Sequence, residues 1–170
     1  MIKDIEKTFK EKLYECDKHV EKITVSKNHL HAFMPLSVET YLKLNDVDIS
    51  FIDQLIFRFS KLQDSMGEKI FPAILVLAKE EVKKKTFIDI LNRLEELEIL
   101  DKAEWLKLRE IRNDIAHEYS FNKAEVVDSI IAIYNASDDL MSIYRATCDF
   151  CKNNFKSLGL DDSDSTIKCA

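Results

Sequence analysis

The stretch Phe51-Ile52-Asp53-Gln54-Leu55-Ile56-Phe57-Arg58-Phe59-Ser60-Lys61-Leu62-Gln63-Asp64-Ser65-Met66 decides the fold of this chain. Ile52, Leu55, Phe59, Leu62 and Met66 recur in steps of three and four, which on a helix places them along one narrow seam facing other helices. Upstream, Ile2, Ile5, Phe9, Leu13 and Cys16 repeat the pattern and predict a first helix from about Ile2 towards His29. Pro35 disfavours helical geometry in the residue ahead of it, so that helix ends before it. Ser37 can cap a short helix through Leu44, and Asp46 to Ser50 reads as a loop that also caps.

Downstream, Gly67 and Pro72 predict a kink or break before the apolar segment Ala73 to Ala78. A further helix covers Phe87 to Leu97 through Ile88, Leu91 and Leu94. Asp101 caps the next, which carries Trp105, Leu108, Ile111 and Ile115. A final long helix runs from near Asn122 to about Phe155 on Val126, Ile130, Ile133, Leu140, Ile143 and Tyr144. No internal repeat is visible.

Composition agrees. The 170 residues include 2 Gly and 2 Pro, where average usage is about 7% and 5%, so the turn chemistry that sheets need is nearly absent. The expected fold class is all-α, an antiparallel bundle of about five helices. Residues 1–156 are expected to form one helical domain and 157–170, polar and poor in large apolar groups, a disordered tail. The longest apolar run, Ile70 to Ala78, contains Pro72 and is far shorter than the ~20 residues that span a bilayer. The N-terminal residues mix acids and bases with no apolar stretch before a cleavage site, which predicts a cytoplasmic protein with no membrane partner. Cys16, Cys148, Cys151 and Cys169 are too few and scattered for a disulfide framework and are expected as thiols. A net charge of −6 and a pI near 5.3 argue against coating nucleic acid and leave room only for a local cationic cleft.

Chemistry concentrates in Arg112-Asn113-Asp114-Ile115-Ala116-His117-Glu118-Tyr119. Arg112 is a fixed cation with a planar fork of donors suited to phosphate oxygens. His117 can accept and return a proton near neutral pH, and Asn113 can orient either group. A site that attacks a phosphodiester without a metal needs little more. Glu110, Asp114 and Glu118 crowd the region and would raise the pKa of His117 while repelling RNA. No Gly-rich phosphate loop, HExxH pattern or serine nucleophile elbow is present, so no cofactor or metal is expected.

Arg112, Asn113 and His117 resemble the motif of the HEPN family: an Arg, often a following polar residue, and a His four to six residues on. Tyr119 completes the longer form, Arg, four residues, His, any residue, Tyr, found in HEPN toxins paired with a minimal nucleotidyltransferase. The segment Phe57 to Lys69 also resembles members encoded beside nucleotidyltransferases, so the likeness covers most of Phe51 to Phe155. The resemblance implies a toxin that cleaves RNA through the substrate's own 2′-hydroxyl, with His117 as proton carrier, Arg112 stabilising the transition-state charge and Asn113 orienting. It further implies a cognate nucleotidyltransferase antitoxin that transfers AMP to Tyr119, blocking the cleft by charge and volume. The other reading of Tyr119 is a half-buried structural ring.

On an ideal helix Arg112 and His117 stand roughly 140° apart, too far to share one phosphate unaided. The length of the Arg side chain, an early helix end near His117, or a second copy across a two-fold axis would each close the gap. HEPN domains are similar in using the last, which implies a homodimer. Two non-enzymatic readings stand beside the nuclease: a binding module that presents Tyr119 or a ligand to the nucleotidyltransferase, and an adaptor using only apolar helix faces.

Other patterns carry less. Cys148-Asp149-Phe150-Cys151 has the spacing of half a zinc site without a matching second pair, so inert thiols are expected. His29 and His31 read as surface residues at a helix end. Lys83-Lys84-Lys85 reads as a solvated loop.

Overall fold

The computed structural model describes residues 2–115, 120–162 and 165–169. These residues contain no strand and form seven α-helices: α1 (Ile2–Leu30), α2 (Val38–Lys43), α3 (Asp46–Ser65), α4 (Phe71–Leu77), α5 (Phe87–Glu96), α6 (Lys102–Asn113) and α7 (Lys123–Asn154). The all-helical fold class is as the spacing predicts. The three long helices pack on one another, α1 chiefly along α3 and both against α7, while α6 lies on α3 and α7. The seam residues Leu55, Phe59, Leu62 and Met66 are fully buried and Ile52 nearly so. Each contributes about 1.5–3 kcal/mol relative to an exposed position.

Caps set where the helices begin. The Ser37 side chain accepts from Thr40 N at 3.1 Å and Asp101 from Glu104 N at 2.9 Å, as the sequence indicates. The expected loop at Asp46 to Ser50 is instead the first turn of α3, because Asn45 and Asp48 form a reciprocal capping box that starts the helix at Asp46. Asp48 also holds His29 Nε2 at 2.8 Å, and the imidazole stacks on Phe51 at 4.0 Å between ring centres. His29 thus fastens the end of α1 to the start of α3 rather than standing free.

The helix does not break at Gly67 and Pro72. Met66–Ile70 form a π-helical turn that joins α3 to α4, with Phe71 N–H donating to Met66 O. Pro72 lacks an N–H and its ring would crowd the carbonyl four residues back in a regular helix. The wider turn absorbs both effects without ending the helix.

Of the tail, residues 157–162 and 165–169 are described, and several of them pack on the helices. Leu158, Leu160, Ile167 and Cys169 are buried. Asp17 accepts from Lys168 N at 2.5 Å and Cys169 N at 2.9 Å, while its Oδ1 lies 2.6 Å from the Tyr144 hydroxyl. Burial first, and the Asp17 carboxylate second, push the Tyr144 phenol far above its ordinary range. Cys148 and Cys169 are joined as a disulfide, with Cα atoms 5.7 Å apart. The expectation of four thiols therefore fails for two; Cys16 and Cys151 are free and buried, and burial pushes both up to about 12. Composition misleads here because the few apolar tail residues dock into a surface built by α1 and α7.

Between α1 and α3, Arg58 Nη1 donates to His19 Nδ1 at 3.2 Å. Burial and then the Arg58 charge hold the His19 pKa below its ordinary 6.5. A depressed folded pKa means that the native state binds fewer protons than the unfolded chain, so this stability is full above about pH 6.5 and falls as the pH drops through the folded pKa. His19→Gln is expected to lose less melting temperature than wild type between pH 7.5 and pH 5, read by circular dichroism. Equal losses would show that His19 does not couple to folding.

Candidate functional site

A cleft of about 610 Å³ opens where α6 crosses the π-turn, and Arg112 and Asn113 are on its wall. From the α3 side come Gln63 and Asp64, from the π-turn Gly67 and Glu68, and from α5 Phe87 and Ile90. Arg109 and Trp105 line it one and two turns before Arg112 on α6, and Pro72 completes it. Arg109 stands over the Phe87 ring, its guanidinium carbon 4.9 Å from the ring centre. The spacing Trp105, Arg109, Arg112, Asn113 follows one face of a helix, which explains how one short element delivers all four.

Arg112 Nη2 donates to Asp64 Oδ2 at 3.2 Å, with side-chain exposures of 37% and 38%. At that exposure solvent screens the pair, so its worth to stability is within about 1 kcal/mol. Its value is positional: the carboxylate holds the guanidinium at the cleft wall, and among the described residues this one acceptor does not saturate a fork of five N–H donors. Asp64 and Glu68 offset Arg109 and Arg112, so the cleft pairs two acids with two fixed cations. Trp105 is almost fully buried against Phe71, with ring centres 4.6 Å apart at 65°. Trp105 Nε1 and Gln63 Nε2 are buried polar atoms without a hydrogen-bond partner among the described residues. A Cβ on Gly67 would meet Trp105 Cζ2 at 3.4 Å, so glycine lets the π-turn close onto the indole with little room to spare.

The expectation that α6 extends as far as Ile115 is corrected. The helix ends at Asn113, with Asp114 as its C-cap donating its N–H to Glu110 O. Asn113 and Asp114 are weak helix formers whose side chains compete for nearby backbone groups. The 140° separation that a continuous helix would impose on Arg112 and His117 therefore does not apply. His117 and Tyr119 lie outside the described residues. Arg112 and Asn113 are brought together on the cleft.

Sequence reasoning did not single out Asp64, Gln63, Glu68, Trp105, Arg109 or Phe87 as site residues. The only signal was indirect, since Gln63, Asp64 and Glu68 sit in the segment Phe57 to Lys69 whose pattern stood out. Cys148 is committed to Cys169, so the Cys148 and Cys151 pair does not form half of a zinc site. His31 Nδ1 lies 3.3 Å from the Tyr134 hydroxyl at the end of α1, far in sequence from the cleft. Lys83 and Lys84 are exposed between α4 and α5. Among the described residues no helix is long and apolar enough to cross a membrane. No protein-family model, curated protein or solved structure matches this chain.

Proposed function

We propose that this chain is a HEPN-type, metal-independent endoribonuclease toxin, acting as a cytoplasmic homodimer and neutralised by a cognate nucleotidyltransferase antitoxin. The observation that carries the reading is Arg112 and Asn113 set side by side on the wall of a cleft, at the helix end that leads into His117. In the proposed step the RNA 2′-hydroxyl attacks the adjacent phosphorus while the bond to the 5′-oxygen breaks. His117 takes or gives the proton, Arg112 neutralises charge building on the phosphoryl oxygens, and Asn113 orients the phosphate or the imidazole. The nucleophile belongs to the substrate, so the chemistry calls for no metal. Two copies sharing a cleft across a two-fold axis would double the cationic groups facing the phosphate.

Control is proposed to act through Tyr119. An AMP group on its phenol would add negative charge and bulk two residues from His117 and set it against Arg112. The alternative, a non-catalytic module that presents Tyr119 or a ligand to the nucleotidyltransferase, draws on the Asp64 carboxylate already held by Arg112 and on Glu68 beside it.

RNA incubated with the purified protein in EDTA should yield fragments ending in 2′,3′-cyclic phosphate, because a metal-bound hydroxide takes no part. Incubation with the partner enzyme, ATP and magnesium should add about 329 Da per nucleotide on wild type and nothing on Tyr119→Phe, which should stay toxic. Cleavage that requires added magnesium would sink the proposed chemistry. Absence of cleavage with retained Tyr119 modification would favour the binding module.

A further inference from the structure

Phe57 stands out midway along α3 as a large apolar side chain that is 52% exposed on the solvent face of the helix. It is ringed by cations: the Arg58 guanidinium carbon is 5.3 Å from the ring centre and Lys61 Nζ 5.6 Å. Arg58 also reaches His19 on α1. Burial, and then the Arg58 charge with a smaller contribution from Lys61, disfavours a proton on that imidazole. Glu15 acts on His19 in the opposite sense and Asp53 lies one turn before Phe57, so acids bound the patch on two sides.

The ridge is continuous with the cleft. At 100° per residue Phe57, Lys61 and Asp64 fall within about 60° of one another, and the seven steps from Phe57 to Asp64 span about 10 Å of helix axis. Asp64 holds Arg112. A strand with a phosphate at Arg112 can therefore follow α3 past Lys61 to Phe57 without leaving one face.

We infer that the α3 ridge of Phe57, Arg58 and Lys61 is a subsite for single-stranded RNA leaving the cleft, with a base stacked on Phe57 and flanking phosphates held by Lys61 and Arg58. The inference rests on the nuclease reading and names how that site holds its substrate. An exposed aromatic ring flanked by cations is the arrangement that grips a single strand without regard to base identity, since every base offers a π-face. Charge complementarity favours this occupant over a second copy of the chain. A two-fold axis through the patch would set Lys61 and Arg58 against their own equivalents.

The test is fluorescence anisotropy with a short single-stranded RNA whose 2′-hydroxyls are methylated and which therefore cannot be cleaved. Phe57→Ala should bind it about ten-fold more weakly than wild type or worse, whereas Phe57→Trp should bind as wild type or more tightly. Lys61→Ala should weaken binding and flatten its salt dependence, as expected for one lost phosphate contact. Phe57 and Lys61 are both exposed on α3, and unchanged light scattering and circular dichroism should accompany the losses. If wild type binds and cleaves RNA and Phe57→Ala does both equally well, the subsite is wrong and the nuclease reading stands. If wild type neither binds nor cleaves any RNA, the nuclease reading falls and the subsite with it. If Phe57→Ala alters the oligomeric state, the ridge is a protein interface and the inference is overturned.

Discussion

Arg112→Ala is expected to slow RNA cleavage by about 10²–10³-fold, the usual cost of removing one preorganised donor from a developing anionic charge. His117→Ala should cost a comparable or larger factor, about 10²–10⁴, through loss of the proton carrier. Neither change should reduce helical content, because Arg112 is a third exposed and its ion pair with Asp64 is screened. Asp64→Asn separates positioning from chemistry. It keeps the guanidinium and removes the competing charge, so RNA should bind more tightly, with stability unchanged to within about 1 kcal/mol. Initial cleavage rates on one labelled RNA, with melting curves as the control, distinguish these effects. Wild-type cleavage by Arg112→Ala would remove Arg112 from the mechanism.

Trp105→Ala is expected to produce a large stability loss, about 3–5 kcal/mol, by opening a cavity between Phe71 and the π-turn. Trp105→Phe should cost far less, about 1–2 kcal/mol: a void is still left, but the change also removes a buried N–H that lacks a partner. Urea denaturation gives both numbers, provided the slope with denaturant stays constant. Equal losses for the two variants would mean that the indole N–H meets an acceptor in solution, and the cleft would then hold an ordered polar group beside Gln63. Because Trp105 supports the same helix face as Arg109 and Arg112, Trp105→Ala should also blunt cleavage at temperatures where it remains folded.

How the two halves of the site became legible differs. Arg112 and Asn113 stand out in sequence because a cation, an amide and an imidazole close together have an evident chemistry. Asp64 does not, since a single acid on an amphipathic helix is the commonest thing a solvated face contains. Its role arises only from being placed 3.2 Å from a guanidinium 48 residues further on. Phe57 was likewise hidden: the steps of three and four already leave it off the seam, but only packing shows that it stays half exposed beside Arg58 and Lys61.

What the sequence determined by itself was local. Steps of three and four along α1, α3, α5 and α7, the near absence of Gly and Pro, and the caps at Ser37 and Asp101 specify helices and their buried faces, because each depends on neighbours within a turn or two. Tertiary structure decided the rest. It seated the wider turn before Pro72 against the Trp105 indole and docked an apparently polar tail through Asp17 and Cys148. Each of these outcomes depends on contacts across the fold, on a carboxylate, a sulfur or an indole supplied by a distant helix. No local pattern encodes such a partner, because the free energy that selects it is gained only when the helices pack.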